Sequence, residues 1–444
     1  MTFQLLKRAI RKATDPLEAL ILADDYFPLQ KSLNYLDKLR LIWKSLQLRR
    51  RSQPIEVIPE VTFLLYSKAC ERLLIPLILN LLQRSEVQEK KIQVNVIVLF
   101  GIHRLQLSPK NLQQLQKLGC PIQTDYFSLI RACHQPEQKL VVFCLDHRRA
   151  YTYHFWGVDA IDILKRFGVK TLSIQHGGTR ADSVADLASA ASDTVLVWGN
   201  RVYREVIEQH GGDPKKFRPI GNPLHDCLTH LKPDQALKTL VEHYPSLASQ
   251  LPQKRLILLA TTLQFEYSSW TDEQSLYRQY LQHLYSRLDF SQYILLIKMH
   301  PLDGLSPNLY REEIPNTQVE SSVAVIEPSV TELDVYSLLT VSELLITRAS
   351  TVAEEALIMG RPVIAFDLMK EGPSKHYQHL EEYSGYTTVY KDSQPSLGEV
   401  VDTFMNQSSI QNGTIDQNKM IQDLTYRLDG KSAQRGIDEI FKQL

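Results

Sequence analysis

Five segments of the chain place polar, charged or hydroxyl side chains directly after short apolar runs. In ELLITRASTVAEEALIMGRPVIAFD an apolar run ends at Thr347. Arg348, Ala349, Ser350 and Thr351 follow it, with Glu354 and Glu355 one turn later. Hydroxyl residues at a helix start can cap it and leave amides facing outward, which suits a diphosphate when a guanidinium is near. Either glutamate could accept from vicinal ribose hydroxyls, although Ser or Thr followed by Glu is also a plain capping pattern. In YILLIKMHPLDG, Pro301 ends the run beside His300. An imidazole there can donate to a phosphate, move a proton or serve structure alone. LSIQHGGTRADS sets His176 before Gly177 and Gly178, which let backbone approach a ligand closely. CLDHRR sets Asp146 and His147 after a fourth run, and LLATTLQF sets Thr261 and Thr262 after a fifth.

Those runs are the elements that must position the chemistry. VTFLLY, VNVIVLF, LVVFCLD, KTLSIQH and TVLVWG alternate with helical patterns, then RLILLAT, YILLIKMHP, VAVIEP, ELLITR and RPVIAFDL repeat the alternation. Continuously apolar strands are buried on both faces, so each series predicts a parallel sheet covered by helices. Ligands of such sheets bind beyond the carboxyl ends of the strands, where the polar residues stand. The expected organisation is α/β, with two doubly wound domains. Residues 1–58 form a helical extension, 59–232 the first domain, 233–425 the second, and 426–444 a C-terminal helix. Residues 36–51 carry apolar and basic side chains at helical spacing. They could lie on anionic lipid at the inner membrane face, or pack on the next domain with their charges solvated.

Composition narrows the function. Fifty basic side chains balance fifty acidic ones, so no global field favours nucleic acid. Five cysteines, odd in number and without C-x-x-C spacing, argue for a reducing compartment and against a disulfide framework or zinc site. No apolar run is long enough to span a bilayer and no secretory signal is visible, so a cytoplasmic location is expected. No D-x-D follows a strand, so no metal is expected at the diphosphate.

Taken in order, these motifs resemble the GT-B superfamily over residues 60–430. EEALIMGRPVIAFD and IGNPLHD are similar to segments of the non-hydrolysing UDP-N-acetylglucosamine 2-epimerases, which implies a ribose contact for Glu355. His300–Pro301 followed by Ser350–Thr351 resembles the nucleotide-holding motifs of capsule-type sialyl and Kdo transferases. IQHGG, GNPLHD and KMHP stand in the order seen in CDP-glycerol glycerophosphotransferases, which implies a catalytic base at His176. Ala349, Ser350 and Thr351 replace the epimerase Ser-Gly-Gly, and Arg348 to Thr351 replace the glycerophosphotransferase Asp-Tyr-Ser-Ser.

The resemblance implies two facing Rossmann-like domains. It also implies transfer of a sugar from a nucleotide-activated donor to a glycan or lipid-linked acceptor in surface polysaccharide synthesis, with no separate cofactor. Ser350 and Thr351 would hold the phosphates and Glu355 the ribose. Thr261, Thr262, His300, Pro301 and Arg348 would flank them. His176 would be the base, with Asp146 as the alternative; His176 could instead bond the Asp146 loop and merely shape the cleft. An NDP-sugar 2-epimerase, a polyol-phosphate transferase and a nucleotide-binding protein without turnover are the other readings.

Overall fold

The computed structural model describes residues 58–65, 68–98, 107–123, 139–144, 161, 164–165, 168–262, 273–301, 307–406 and 414–444. Asp146 and the basic segment 36–51 lie outside them, as does most of the expected helical extension. The chain divides into two compact units. The first comprises Met1–His176, Ser183–Asp226 and Tyr426–Leu444, and the second Gly177–Asp182 and Cys227–Thr425.

The first unit holds β1 (Glu60–Leu65), β2 (Gln93–Val98), β3 (Ile122–Gln123), β4 (Lys139–Cys144), β5 (Lys170–Ile174), β6 (Thr194–Val197) and β7 (Phe217–Pro219). They form one sheet in the order β3-β2-β1-β4-β5-β6-β7, with every pair parallel. β1, β4 and β6 are buried along their whole length, as expected for strands covered on both faces. Helix α1 (Lys68–Leu82) buries Leu73, Leu77, Ile78 and Leu81 in the same core as Ile437 and Ile440 of the last helix.

That last helix, Ser432–Gln443, is tied into the first unit by GNPLHD. Asp226 accepts from the amides of Ser432 and Ala433, each at 2.8 Å, and Arg435 Nε donates to the Ile220 carbonyl at 2.6 Å. Asn222 Nδ2 lies 3.0 Å from His225 Nε2, and both residues are buried. The motif therefore works as a joint. Cys70 and Cys144, far apart in sequence, are both fully buried with their sulfurs 2.7 Å apart.

The second unit holds β8 (Arg255–Ala260), β9 (Tyr293–Lys298), β10 (Val323–Ile326), β11 (Leu344–Thr347), β12 (Val363–Asp367) and β13 (Tyr386–Tyr390). Its order is β10-β9-β8-β11-β12-β13, again all parallel. In both sheets the first strand is central and the chain winds outward to one side, then to the other. The expected α/β class, with two doubly wound Rossmann-like domains, is the observed one. Among the described residues no helix is long and apolar enough to cross a membrane.

Candidate functional site

The winding of the second sheet reverses between β8 and β11. Open parallel sheets bind ligands outside the carboxyl ends of such a strand pair. Ala260 and Thr347 are in register, and Thr347 Oγ1 donates to the Ala260 carbonyl at 3.0 Å. The strands end level, one delivering Thr261 and Thr262, the other Arg348 to Thr351.

The Thr261 hydroxyl accepts from the His300 amide at 2.8 Å, which ties the β9 exit to the β8 exit. His300 is half-buried there and Pro301 exposed. Thr262 is buried, and its Oγ1 has no hydrogen-bond partner among the described residues. Leaving such a hydroxyl unmatched costs about 1–3 kcal/mol, so the site has one strong reason to accept a polar ligand atom. Lys298 turns away from this edge. Its Nζ donates to the carbonyls of Glu327 and Val330 at 3.2 and 3.1 Å, and burial lowers its pKa from the ordinary lysine value.

Arg348 was expected beside a diphosphate. Its side chain is instead buried and paired with Asp367, the last residue of β12, through Nη2 to Oδ1 at 3.1 Å. The guanidinium carbon also sits 5.8 Å from the centroid of the Tyr280 ring, whose hydroxyl pKa burial raises well above the usual value. Asp367 accepts further from the amides of Leu368 at 2.8 Å and Ser374 at 3.3 Å. The Arg348 charge is thus met inside the unit, and the residue positions the strand exits.

Helix α2 (Val352–Ile358) follows the hydroxyl pair and is only seven residues long. Ser350 Oγ accepts from the Val352 amide at 3.3 Å, while Thr351 is itself helical in backbone and makes no capping bond. The amides of Ala353, Glu354 and Glu355 donate to the Ser350 and Thr351 carbonyls. Amides expected to face a phosphate are therefore used within the turn, and the segment offers chiefly its half-buried hydroxyls.

The two glutamates are both buried but differ in partner. Glu355 Oε1 accepts from the Tyr336 hydroxyl at 3.0 Å. Glu354 Oε1 accepts from the amide and hydroxyl of Thr179, at 2.6 and 3.0 Å, and Thr179 Oγ1 lies 2.6 Å from His379 Nε2. Gly178 packs so closely on Glu354 that a Cβ there would stand 2.1 Å from Oε1. Its close approach is to this carboxylate.

His176 is half-buried, two residues past the end of β5. Before it, Gln175 is buried and accepts from the Trp198 amide at 2.8 Å. After it, Gly177 adopts φ +91°, a left-handed turn that glycine takes without strain. The turn falls where the chain passes from the first unit to the second.

The structure thus gathers Thr261, Thr262, His300, Pro301, Arg348, Ser350 and Thr351 at the carboxyl edge of one sheet, with Glu355 a turn into α2. His176 belongs to the other unit. Sequence reasoning missed Asp367, although it too ends an apolar run, VIAFD. It also missed Thr179, Tyr336 and His379, for which no local signal exists.

Comparison with known proteins concerns the chain as a whole. The family model for CDP-glycerol:poly(glycerophosphate) glycerophosphotransferase matches residues 134–442. No curated protein matches the chain. Among solved structures, the UDP-N-acetylglucosamine 2-epimerase of Neisseria meningitidis bound to its UDP-sugar aligns with TM-score 0.53 and 14% identity, over 86% of this chain and 100% of that one. MnaA of S. aureus, solved with UDP, aligns with TM-score 0.53 and 13% identity, over 87% and 98%. A glycosyltransferase of Rickettsia africae aligns with TM-score 0.52 and 15% identity, over 86% and 99%. At such identities the likeness concerns the fold, which is GT-B.

Proposed function

Because the chain belongs to the CDP-glycerol:poly(glycerophosphate) glycerophosphotransferase family, we propose that it moves a polyol phosphate from a nucleotide-activated donor to a hydroxyl of a cell-surface polymer. The motifs alone led to sugar transfer from a similar donor; the family shifts the transferred group to a phosphate ester. The acceptor oxygen attacks the phosphorus that carries the polyol. The anhydride P–O bond breaks, and the nucleoside monophosphate leaves with the bonding electrons.

The observation that carries the donor site is the buried Thr262 hydroxyl at the switch point of the second sheet. Ser350 and Thr351 hold the phosphates, His300 and Thr261 flank them, and Glu355 meets the ribose. His176 takes the acceptor proton, a role worth about a hundred- to ten-thousand-fold in rate. Asp146 is the alternative base. His300 and the nearby hydroxyls stabilise charge on the leaving phosphate without a metal, so transfer should survive EDTA. Magnesium-reversible loss of all turnover would overturn that point. Residues 36–51, on this reading, bring the enzyme to the cytoplasmic face of a membrane carrying the acceptor.

The leaving group tests the proposal. Incubated with CDP-glycerol and a glycerophosphate polymer, the enzyme should release CMP and lengthen the polymer by whole glycerophosphate units. Turnover of a nucleotide sugar, with CDP-glycerol left intact, would return the assignment to sugar transfer. Conversion of a UDP-sugar to its 2-epimer without any acceptor would favour the epimerase reading.

A further inference from the structure

We infer that Glu354, Thr179 and His379 form a positioning clamp that fixes the chain's direction as it leaves His176. The inference rests on the reading of His176 as the base. The three residues come from distant parts of the sequence, yet all belong to the second unit, which includes the short segment Gly177–Asp182. Glu354 is 2% exposed. A carboxylate so deeply buried needs compensating donors, and Thr179 supplies two, its amide and its hydroxyl. Since the Thr179 hydroxyl gives its proton to Glu354, the 2.6 Å contact with His379 has the imidazole Nε2–H donating to Thr179 Oγ1. His379 is itself stacked on Tyr377, with ring centroids 6.1 Å apart.

The donors run in one direction, from His379 to Thr179 to Glu354, and leave the segment one orientation. Gly178 makes the fit steric as well, because only a residue without Cβ can lie against the Glu354 carboxylate. One residue earlier, Gly177 turns left-handed, and His176 stands immediately before it. Only Gly177 and Gly178 therefore separate the clamped Thr179 from His176. Glu354 and Glu355 are neighbours on α2, directly after the hydroxyl pair proposed to hold the donor phosphates. The two adjacent glutamates thus divide the work: Glu355, on the proposed function, meets the ribose, while Glu354 fixes the segment that follows the base.

The test uses the full-length enzyme and reads both motion and rate. In Glu354→Ala, amide hydrogen exchange across residues 177–182 should quicken. Turnover should fall at least about tenfold while donor KM stays within about twofold, the signature of a misplaced group rather than a lost binding contact. Glu354→Gln keeps an acceptor oxygen and should recover most of that loss. Gly178→Ala should cripple turnover by driving its methyl into Glu354, and adding Glu354→Ala should bring the double variant up to the Glu354→Ala rate. Should Glu354→Ala be too unstable to purify, Thr179→Val, which deletes one donor of the pair, is measured instead and should show the same exchange and rate changes in weaker form. Unchanged exchange in these variants, or faster exchange with wild-type turnover, would overturn the clamp. His176→Ala with full turnover would instead overturn the base reading beneath it, and that result is distinguishable because it leaves the exchange changes in place.

Discussion

The two sheets share one winding scheme yet keep their buried ion pairs at opposite ends. In the first, Glu60 and Lys139 stand in register at the amino ends of β1 and β4, where Glu60 also accepts from the Thr62 hydroxyl at 3.1 Å. In the second, Arg348 and Asp367 stand at the carboxyl ends of β11 and β12. Ligands meet such sheets only at the carboxyl edge. Similar chemistry therefore has two meanings, a fastening at one end and, under the proposed function, the floor of the donor site at the other. Position along the strand decides which, because the residues themselves are interchangeable in kind.

The sharpest way to break this comparison is to neutralise each pair. Removing one partner alone strands a buried charge and costs about 3–5 kcal/mol, so Asp367→Ala should show the largest loss of thermal stability of any single change discussed. Replacing both partners by similar volumes avoids that penalty. Glu60→Gln with Lys139→Met should then leave turnover near wild type. Arg348→Met with Asp367→Asn should lower it on the order of a hundredfold, the cost of misplacing reacting groups by about 1 Å. Equal turnover in the two double variants, measured on folded protein, would erase the distinction between the edges.

The strands were legible because burial on both faces leaves little choice but Val, Ile, Leu and Phe, and their polar exits were legible for the same reason. β4 reads KLVVFC and is buried throughout. What could not be read is which exits meet. Asp367 pairs with Arg348 because β11 and β12 are neighbours, a consequence of sheet order that no local pattern carries. Glu354 looked equivalent to Glu355, and the difference comes from Thr179, 175 residues away in sequence. The charge on Arg348 was read correctly and its direction was not, since an isolated strand end does not reveal its acidic neighbour. GNPLHD likewise reveals its joint only once the last helix is seen to return to the first unit.

Two carboxyl-edge residues sharpen the comparison by separating chemistry from binding. His176→Ala should cut transfer by at least about a hundredfold, the lower range for loss of a general base, with nucleotide affinity unchanged. Transfer near the wild-type rate would move the role to Asp146. Glu355→Ala should act the other way, weakening nucleotide binding by about 1–3 kcal/mol. A panel of CMP, CDP, UDP and GDP in a thermal-shift assay checks it, because a ligand that binds the native state raises its stability by mass action. Identical shifts in wild type and variant for every nucleotide would remove Glu355 from the donor site.

The smallest expected effect belongs to Thr262, and it is the most direct test of the carboxyl edge as a donor site. Its hydroxyl is buried and has no hydrogen-bond partner among the described residues, so the unliganded protein should gain nothing from it. Valine matches threonine in shape and lacks the hydroxyl. At a fastening, such a replacement would remove a bond and lower stability. Here it removes a polar atom that the fold leaves unmatched, so the melting temperature of Thr262→Val without ligand should hold or rise slightly. Donor affinity should fall by about 0.5–1.5 kcal/mol, the net worth of one hydrogen bond, because the ligand atom loses its partner. Isothermal titration with CDP-glycerol and melting curves of both proteins measure the two sides. A lower melting temperature with unchanged affinity would show that the hydroxyl serves the fold, and the switch point would lose its strongest claim to the donor.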